Sequence, residues 1–284
     1  MTQDHRPYRS VLYIPASNIR ALDKARSLPV DAIIFDLEDA VTPDQKDLAR
    51  ETLVGALDEG GYGRRALIVR INALDTPWGE SDAVTFSGKP VDGILLPKVN
   101  GPEQLDALDA LNVPRPLWAM METATGVLNA AAIARHRRLA GFVMGTNDLA
   151  KELGCRTRPD RAPLWTGLQT CLLAARAAGI LCIDGVYNAF RDQDGLRREC
   201  EQGRDFGFDG KTLIHPAQVA VANEVFAPSP SEVDLARRQI EAFEKAQVDG
   251  NGVAVVDGSI VENLHVETAR ATLARALAIA EKET

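Results

Sequence analysis

Glu122 and Asp148 are the residues from which chemistry is most readily built in this chain. Glu122 ends an apolar run, 116–121, just before Thr-Ala-Thr-Gly, and Asp148 follows a second apolar run, 141–144, after Gly-Thr-Asn. The intervening 126–138 is rich in Ala and Leu and gathers cations at its end, which predicts an amphipathic helix. Strand, helix and strand of this length join parallel neighbours, so both carboxylates would emerge at one sheet edge. An unpaired acid so close to an apolar strand is costly. Two of them with no accompanying His or Cys suit a hard cation, Mg2+, which keeps several waters and takes its other ligands from an anionic substrate.

The elements that must position this pair alternate along the chain. Apolar, β-prone runs at 10–14, 32–35, 66–71, 93–96, 116–121, 141–144, 180–187 and 212–214 alternate with helix-like stretches at 19–27, 45–57, 102–111, 127–137, 163–178, 193–206 and 216–226. The stretch 75–89 is less regular and reads as a short excursion in place of a full helix. Eight such alternations predict an α/β fold, a closed (β/α)8 TIM barrel with a C-terminal helical extension. The competing open, doubly wound sheet would carry a glycine-rich phosphate turn after its first strand, and IPASNIRA is not one. The barrel is expected over 1–227. The extension, 228–284, holds a charged helix (232–247), a hairpin or loop in VAVVDGSIVEN and a final helix (266–281), and is expected to pack on a rim or on a neighbouring subunit.

Barrels of this kind place their sites at the C-terminal strand ends. There the second strand delivers Asp36, Glu38 and Asp39, the third Arg70 and the fourth Lys98; Asp184, Lys211 and His215 belong to the seventh and eighth. Plainer roles compete: helix capping for Asp39, a hydrogen-bonded structural role for His215, and an ion pair with a carboxylate for Lys211. Arg70 offers a planar fork for a carboxylate. A divalent ion and an arginine facing one pocket form a site for a 2-oxo or 2-hydroxy acid, able to stabilise the oxyanion left when an adjacent carbon-carbon bond breaks.

A net charge of −8 with no long run of Lys or Arg argues against nucleic acid, and the 45% apolar, 25% charged composition is that of an ordinary soluble domain. No uninterrupted apolar run approaches the ~20 residues of a membrane span, and MTQDHRPYRS lacks the apolar core of a signal peptide. A cytoplasmic protein is expected. Cys155, Cys171, Cys182 and Cys200 show no metal-ligand spacing and read as reduced thiols.

RSVLYIPASN, IIFDLEDAV, LIVRINALDTPWG, ILLPKV, METATGV, GTNDLAKELG, DGVYN and GFDGKTLIHPAQV, in this order, resemble the citrate lyase β-subunit-like proteins of the HpcH/HpaI aldolase/citrate lyase family, close to malyl-CoA and citramalyl-CoA lyases. The resemblance implies a Mg2+-dependent homotrimer that cleaves a 3-hydroxy-acyl thioester to an acetyl thioester and a 2-oxo acid, or condenses them. It implies Glu122 and Asp148 as metal ligands, Arg70 on the oxo-acid carboxylate or thioester carbonyl, and Glu38 and Asp39 on metal-bound waters. The backbone amides of Gly145, Thr146 and Asn147 would take the substrate carboxylate, and Tyr13 and Lys24 the coenzyme A nucleotide. Where related lyases carry an aspartate in a C-terminal segment that reaches a neighbour's site as acid/base, this chain offers Glu262, one methylene longer; Asn18 replaces an arginine of some members. Two alternatives accompany the lyase: a citrate lyase β subunit acting on citryl groups carried by an acyl carrier protein, and a malyl-CoA thioesterase.

Overall fold

The computed structural model describes residues 6–283. Eight parallel strands, β1 (Ser10–Pro15), β2 (Ala32–Asp36), β3 (Ala66–Arg70), β4 (Gly93–Leu96), β5 (Leu117–Met121), β6 (Leu139–Met144), β7 (Leu181–Asp184) and β8 (Gly210–Leu213), close into a barrel as β1 pairs with β8. The strands read as continuous apolar runs because both faces are buried. Alternate residues, among them Val11, Ile34, Ile68, Leu95, Trp118, Met120, Val143 and Ile183, point inward and fill the interior as one cluster, while Leu12, Ile33, Phe35 and Val69 are buried on the other face. Trp118 fits because β6 carries glycine beside it: a Cβ at Gly141 would lie 2.5 Å from the indole Cζ3.

The helices between strands follow the expected order, with two informative differences. The stretch between β5 and β6 is two short helices, Ala124–Leu128 and Ala130–Ala134, broken at Asn129, whose side-chain amide donates to the Asn100 carbonyl at 2.7 Å. The irregular stretch after β3 contains a true helix, Gly79–Ser87, whose buried Asp82 accepts from Arg50 Nε (2.7 Å) and from the backbone (3.0 Å) and side chain (2.7 Å) of Asn72. Buried polar pairing of this kind leaves no mark in hydrophobic periodicity.

By its internal contacts the chain forms two compact units, one of them Tyr8–Glu224 and the other built on the chain from Val225 onward. In the second, helix Pro230–Val248 starts at a Ser229/Glu232 capping box. The hairpin β9 (Ala254–Val256) and β10 (Ser259–Val261) turns through Asp257 and Gly258, both at positive φ, as a two-residue Asp-Gly hairpin requires. Phe243, Val256, Val261 and Val266 make its core, and helix Asn263–Glu283 completes it. No described helix is long and apolar enough to cross a membrane.

Candidate active site at the C-terminal end of the barrel

Tyr13, Asp36, Asp39, Arg70, Glu122, Gly145, Thr146, Asn147 and Asp148 line one cavity of about 370 Å3 at the strand ends. The acids and the arginine are brought together by the sheet ladder itself. Asp36 and Arg70 end adjacent strands as register partners, so Arg70 Nε and Nη2 donate to Asp36 Oδ1 (2.8 Å) and Oδ2 (2.6 Å) in a bidentate pair. The fork expected to hold a substrate carboxylate is therefore taken by Asp36. What remains is the Nη1 edge, 3.0 Å from Glu38 Oε2 and 3.4 Å from Asp39 Oδ2. The guanidinium carbon sits 5.1 Å from the centre of the Tyr13 ring, and Tyr13 donates its hydroxyl to Met120 Sδ at 3.3 Å.

Glu38 is gripped from the other side by Lys98 Nζ, and Lys46 Nζ donates to the carbonyls of Leu37 (2.8 Å) and Glu38 (2.7 Å), fixing the loop that carries it. Burial pushes the Glu38 carboxyl above its ordinary value despite Arg70 and Lys98. Burial is also the largest single influence on its more exposed neighbour Asp39, but there Arg70, the hydrogen bond with Glu38, Lys98 and Lys46 together outweigh it and the carboxyl falls below its ordinary value. Two adjacent acids are thus separated in proton affinity by their surroundings.

Glu122 is 1% exposed. Its Oε1 accepts the Lys98 backbone N–H at 2.8 Å, a bond that holds Lys98 at a φ of 51°; its Oε2 is buried with no hydrogen-bond partner. Burial raises this carboxyl to about 7, against the lowering by the Lys98 N–H and by Arg70. Gly145 leaves the space in front of the orphan oxygen: a Cβ there would lie 2.4 Å from Oε2. Asp148 stands in the first turn of helix Thr146–Glu152 and lines the same cavity. Among the described residues no three His, Cys, Asp or Glu side chains converge on a metal position, so a cation here would rest on two carboxylates and its own waters. An orphaned carboxylate oxygen and an all-oxygen donor pair fit Mg2+.

The remaining expected positions divide. The Gly145 N–H donates to the Met121 carbonyl at 3.1 Å, so it is not a substrate donor; Gly145 contributes the absence of a side chain. Thr146 and Asn147 open a helix with no side-chain cap, and first-turn N–H groups of a helix have no intrahelical acceptor. Lys24 lies exposed in the last turn of helix Ile19–Ala25 and lines no part of this cavity. Asn18 caps the start of that helix, accepting from the Ala21 N–H at 3.1 Å. Glu262 is exposed between β10 and the last helix, in the C-terminal unit, where its carbonyl accepts the N–H groups of His265 (3.0 Å) and Val266 (3.2 Å). His215 Nδ1 accepts from the Ala217 N–H at 3.1 Å and its ring stacks on Phe190.

Asp36 and Lys98 are the participants that residue-type reasoning named without assigning a function. Strand-end register would have paired Asp36 with Arg70, whereas the left-handed backbone of Lys98 has no sequence signature. The four cysteines are free; burial pushes the Cys171 and Cys200 thiols up to about 12, far from reactivity at neutral pH.

Residues 9–216 match the family model described as HpcH/HpaI aldolase/citrate lyase. The chain belongs to this family. The (3S)-malyl-CoA thioesterase of Cereibacter sphaeroides (strain KD131 / KCTC 12085) is 63% identical over 280 residues, 99% of this chain and 98% of that one. The citrate lyase subunit beta of Escherichia coli (strain K12) is 34% identical over 285 residues, 95% and 94% of the two chains. Among solved structures of the family, Mycobacterium tuberculosis CitE in complex with magnesium, acetoacetate and coenzyme A superposes with a TM-score of 0.82 at 31% identity, covering 96% of this chain and 99% of that one. Magnesium therefore occurs in structures of the family.

Proposed function

We propose that this protein hydrolyses the thioester of a short 3-hydroxy acid of the (3S)-malyl-CoA class, releasing coenzyme A and the free hydroxy acid. The observation that carries the reading is the 63% identity, over nearly the whole of both chains, to a relative named for that activity. The residues alone favour the carbon-carbon lyase, and the likeness turns the proposal to hydrolysis.

Glu122 and Asp148 would hold Mg2+, which when bound supplies Lewis-acid polarisation of an acyl or hydroxyl oxygen. Thr146 and Asn147 present amide N–H groups to the acid's carboxylate. Arg70, locked by Asp36 and with its Nη1 edge beside Glu38 and Asp39, contributes a fixed positive charge near negative charge developing on the thioester carbonyl. Glu38 and Asp39 accept hydrogen bonds from water at the cavity's edge; Glu38, raised by burial, is the better proton acceptor for the attacking water, and Asp39, lowered by its cationic neighbours, stays a carboxylate that orients it. In the hydrolytic step the water oxygen bonds to the acyl carbon, the carbon-sulfur bond breaks, and the sulfur leaves with the bonding pair and is protonated. Glu262, one methylene longer than the aspartate of related lyases, is the candidate for moving that proton from a neighbouring subunit of a homotrimer. A cytoplasmic location accompanies this proposal.

Cleavage to acetyl-CoA and glyoxylate is the second reading, favoured by family members named citrate lyase subunit beta and citramalyl-CoA lyase. Incubation of purified protein with (3S)-malyl-CoA and Mg2+ separates the two. Free thiol and malate in equal amounts support hydrolysis; acetyl-CoA and glyoxylate overturn it in favour of the lyase. Activity confined to a citryl group on an acyl carrier protein would identify a citrate lyase β subunit.

A further inference from the structure

Beside the first cavity lies a second, of about 440 Å3, which shares Thr146, Asn147 and Val186 with it. Its lining includes Arg156, Arg158, Arg161 and Arg198 against two acids, Asp192 and Glu199. Both acids are already committed. Glu199 accepts from the buried Lys211 at 2.7 Å, and Asp192 accepts from the Gly195 N–H at 2.9 Å and the Tyr187 hydroxyl at 2.7 Å. Among the arginines, Arg158 is paired with Asp160 at 2.8 Å. Neither Arg156 nor Arg198 forms an ion pair among the described residues, although the charge of Arg198 is felt at Asp192.

Arg161 is the most constrained of the four. It is only 6% exposed, its Nη1 donates to Asp184 at 2.7 and 2.9 Å and its Nε to Gln202 at 2.9 Å, yet its Nη2 is buried with no hydrogen-bond partner. It is also held at a φ of 52°, a left-handed conformation that persists only where the surroundings over-determine it. A buried guanidinium nitrogen with nothing to donate to, beside two uncommitted arginines, marks a place for an oxyanion. Donors arriving from three separate chain positions suit the tetrahedral oxygens of a phosphate better than a single planar carboxylate. A cavity of this size is larger than one phosphate needs, and Pro159, Pro163 and Leu164 offer apolar walls for an organic body.

We propose that this second cavity is a phosphate-binding site adjoining the candidate active site, taking the phosphate of a larger organic molecule between Arg156, Arg198 and Nη2 of Arg161. The phosphate has two possible sources, a free phosphorylated metabolite or the carrier arm of a thioester. Binding at this cavity is independent of thioester hydrolysis and can be measured without turnover.

Pyrophosphate is titrated calorimetrically into the full-length protein and into the R156Q/R198Q double variant, both substituted residues being exposed. One-site binding to the wild type, weakened at least about tenfold in the variant, is expected for loss of two charge-assisted contacts. R161K, which retains a cation for Asp184 but lacks Nη2, should weaken binding as well. No saturable binding to the wild type at millimolar pyrophosphate, or binding unchanged in the double variant, overturns the proposal. Competition between pyrophosphate and coenzyme A would assign the phosphate to the carrier arm; simultaneous binding would assign it to a separate ligand.

Discussion

Two charge clusters occupy opposite sides of the same barrel, and they differ in balance. On β7 and β8, Asp184 and Lys211 are 0% exposed, and with Glu199 and Arg161 they form two acids and two cations in contact: Lys211 Nζ lies 3.0 Å from Asp184 and 2.7 Å from Glu199, and Arg161 Nη1 lies 2.7 Å from Asp184. On β2 to β5, four acids, Asp36, Glu38, Asp39 and Glu122, stand against three cations: Arg70 and Lys98 in ion pairs, and Lys46, which acts on them while bonded to the Leu37 and Glu38 carbonyls; Glu122 has a backbone N–H as its hydrogen-bond partner and one oxygen with none. Within the β7 and β8 cluster each charge faces an opposite one, so it needs no cation, and only Nη2 of Arg161 is left without a partner. The acid excess beside a cavity is satisfied only when a cation arrives, so the imbalance itself marks the site.

The largest effect should come from unbalancing the closed cluster. Lys211→Met leaves two buried carboxylates to one arginine and is expected to lower the unfolding free energy by about 3–5 kcal/mol, read from urea denaturation. Glu122→Gln should do the opposite, removing a carboxylate that burial disfavours: stability without Mg2+ is kept or raised, while thioester turnover falls by about 10²–10³-fold. Full Mg2+-dependent turnover in E122Q would refute the metal assignment.

The two clusters should also respond to pH with opposite sign. Glu122 is raised to about 7, so its contribution to stability without metal is present below its unfolded value and is lost as pH rises through about 7. A cation needs the carboxylate, so Mg2+ affinity should drop about tenfold per pH unit below 7 and level off above it, as calorimetry across a pH series would show. Asp184 is held below its ordinary value: burial opposes this, but Lys211 and Arg161 prevail. Its stabilisation is present above the unfolded value and is lost only in acid, as pH falls through the folded one. The smallest change is expected for Lys98→Gly, which loses the cation over Glu38, keeps the N–H on Glu122 and relieves a left-handed backbone. Thermal unfolding should place it within about 1–2 kcal/mol of the wild type, with turnover reduced.

Much of this was legible in the chain. The β4 run 93–96 coincides with the observed strand, and the others agree to within a few residues at each end, because strands buried on both faces announce themselves as unbroken apolar runs. The β7 run was read too long: Gly185 to Tyr187 are apolar enough to continue a strand, but Asp184, turned to Lys211, ends it. Alanine-rich 126–138 looked like one helix because periodicity does not register that Asn129 has a carbonyl to reach. At the site, residue types brought Glu122, Asp148 and Arg70 to one cavity. They could not show that Arg70's fork is taken or that Gly145's amide belongs to Met121, since each depends on a partner distant in sequence. The loop around Arg161, with its uncommitted arginines, has no periodicity and no motif.

The pairing of Arg70 with Asp36 by strand register has a consequence for engineering. Because ladder position sets the guanidinium orientation, the anchor belongs to the scaffold and is independent of the loops above it. The loop after β7 can be exchanged or randomised to reshape the space for the acid group while Arg70, Asp36 and the Asp148 segment after β6 stay in place, which makes this barrel a portable chassis for altering substrate range.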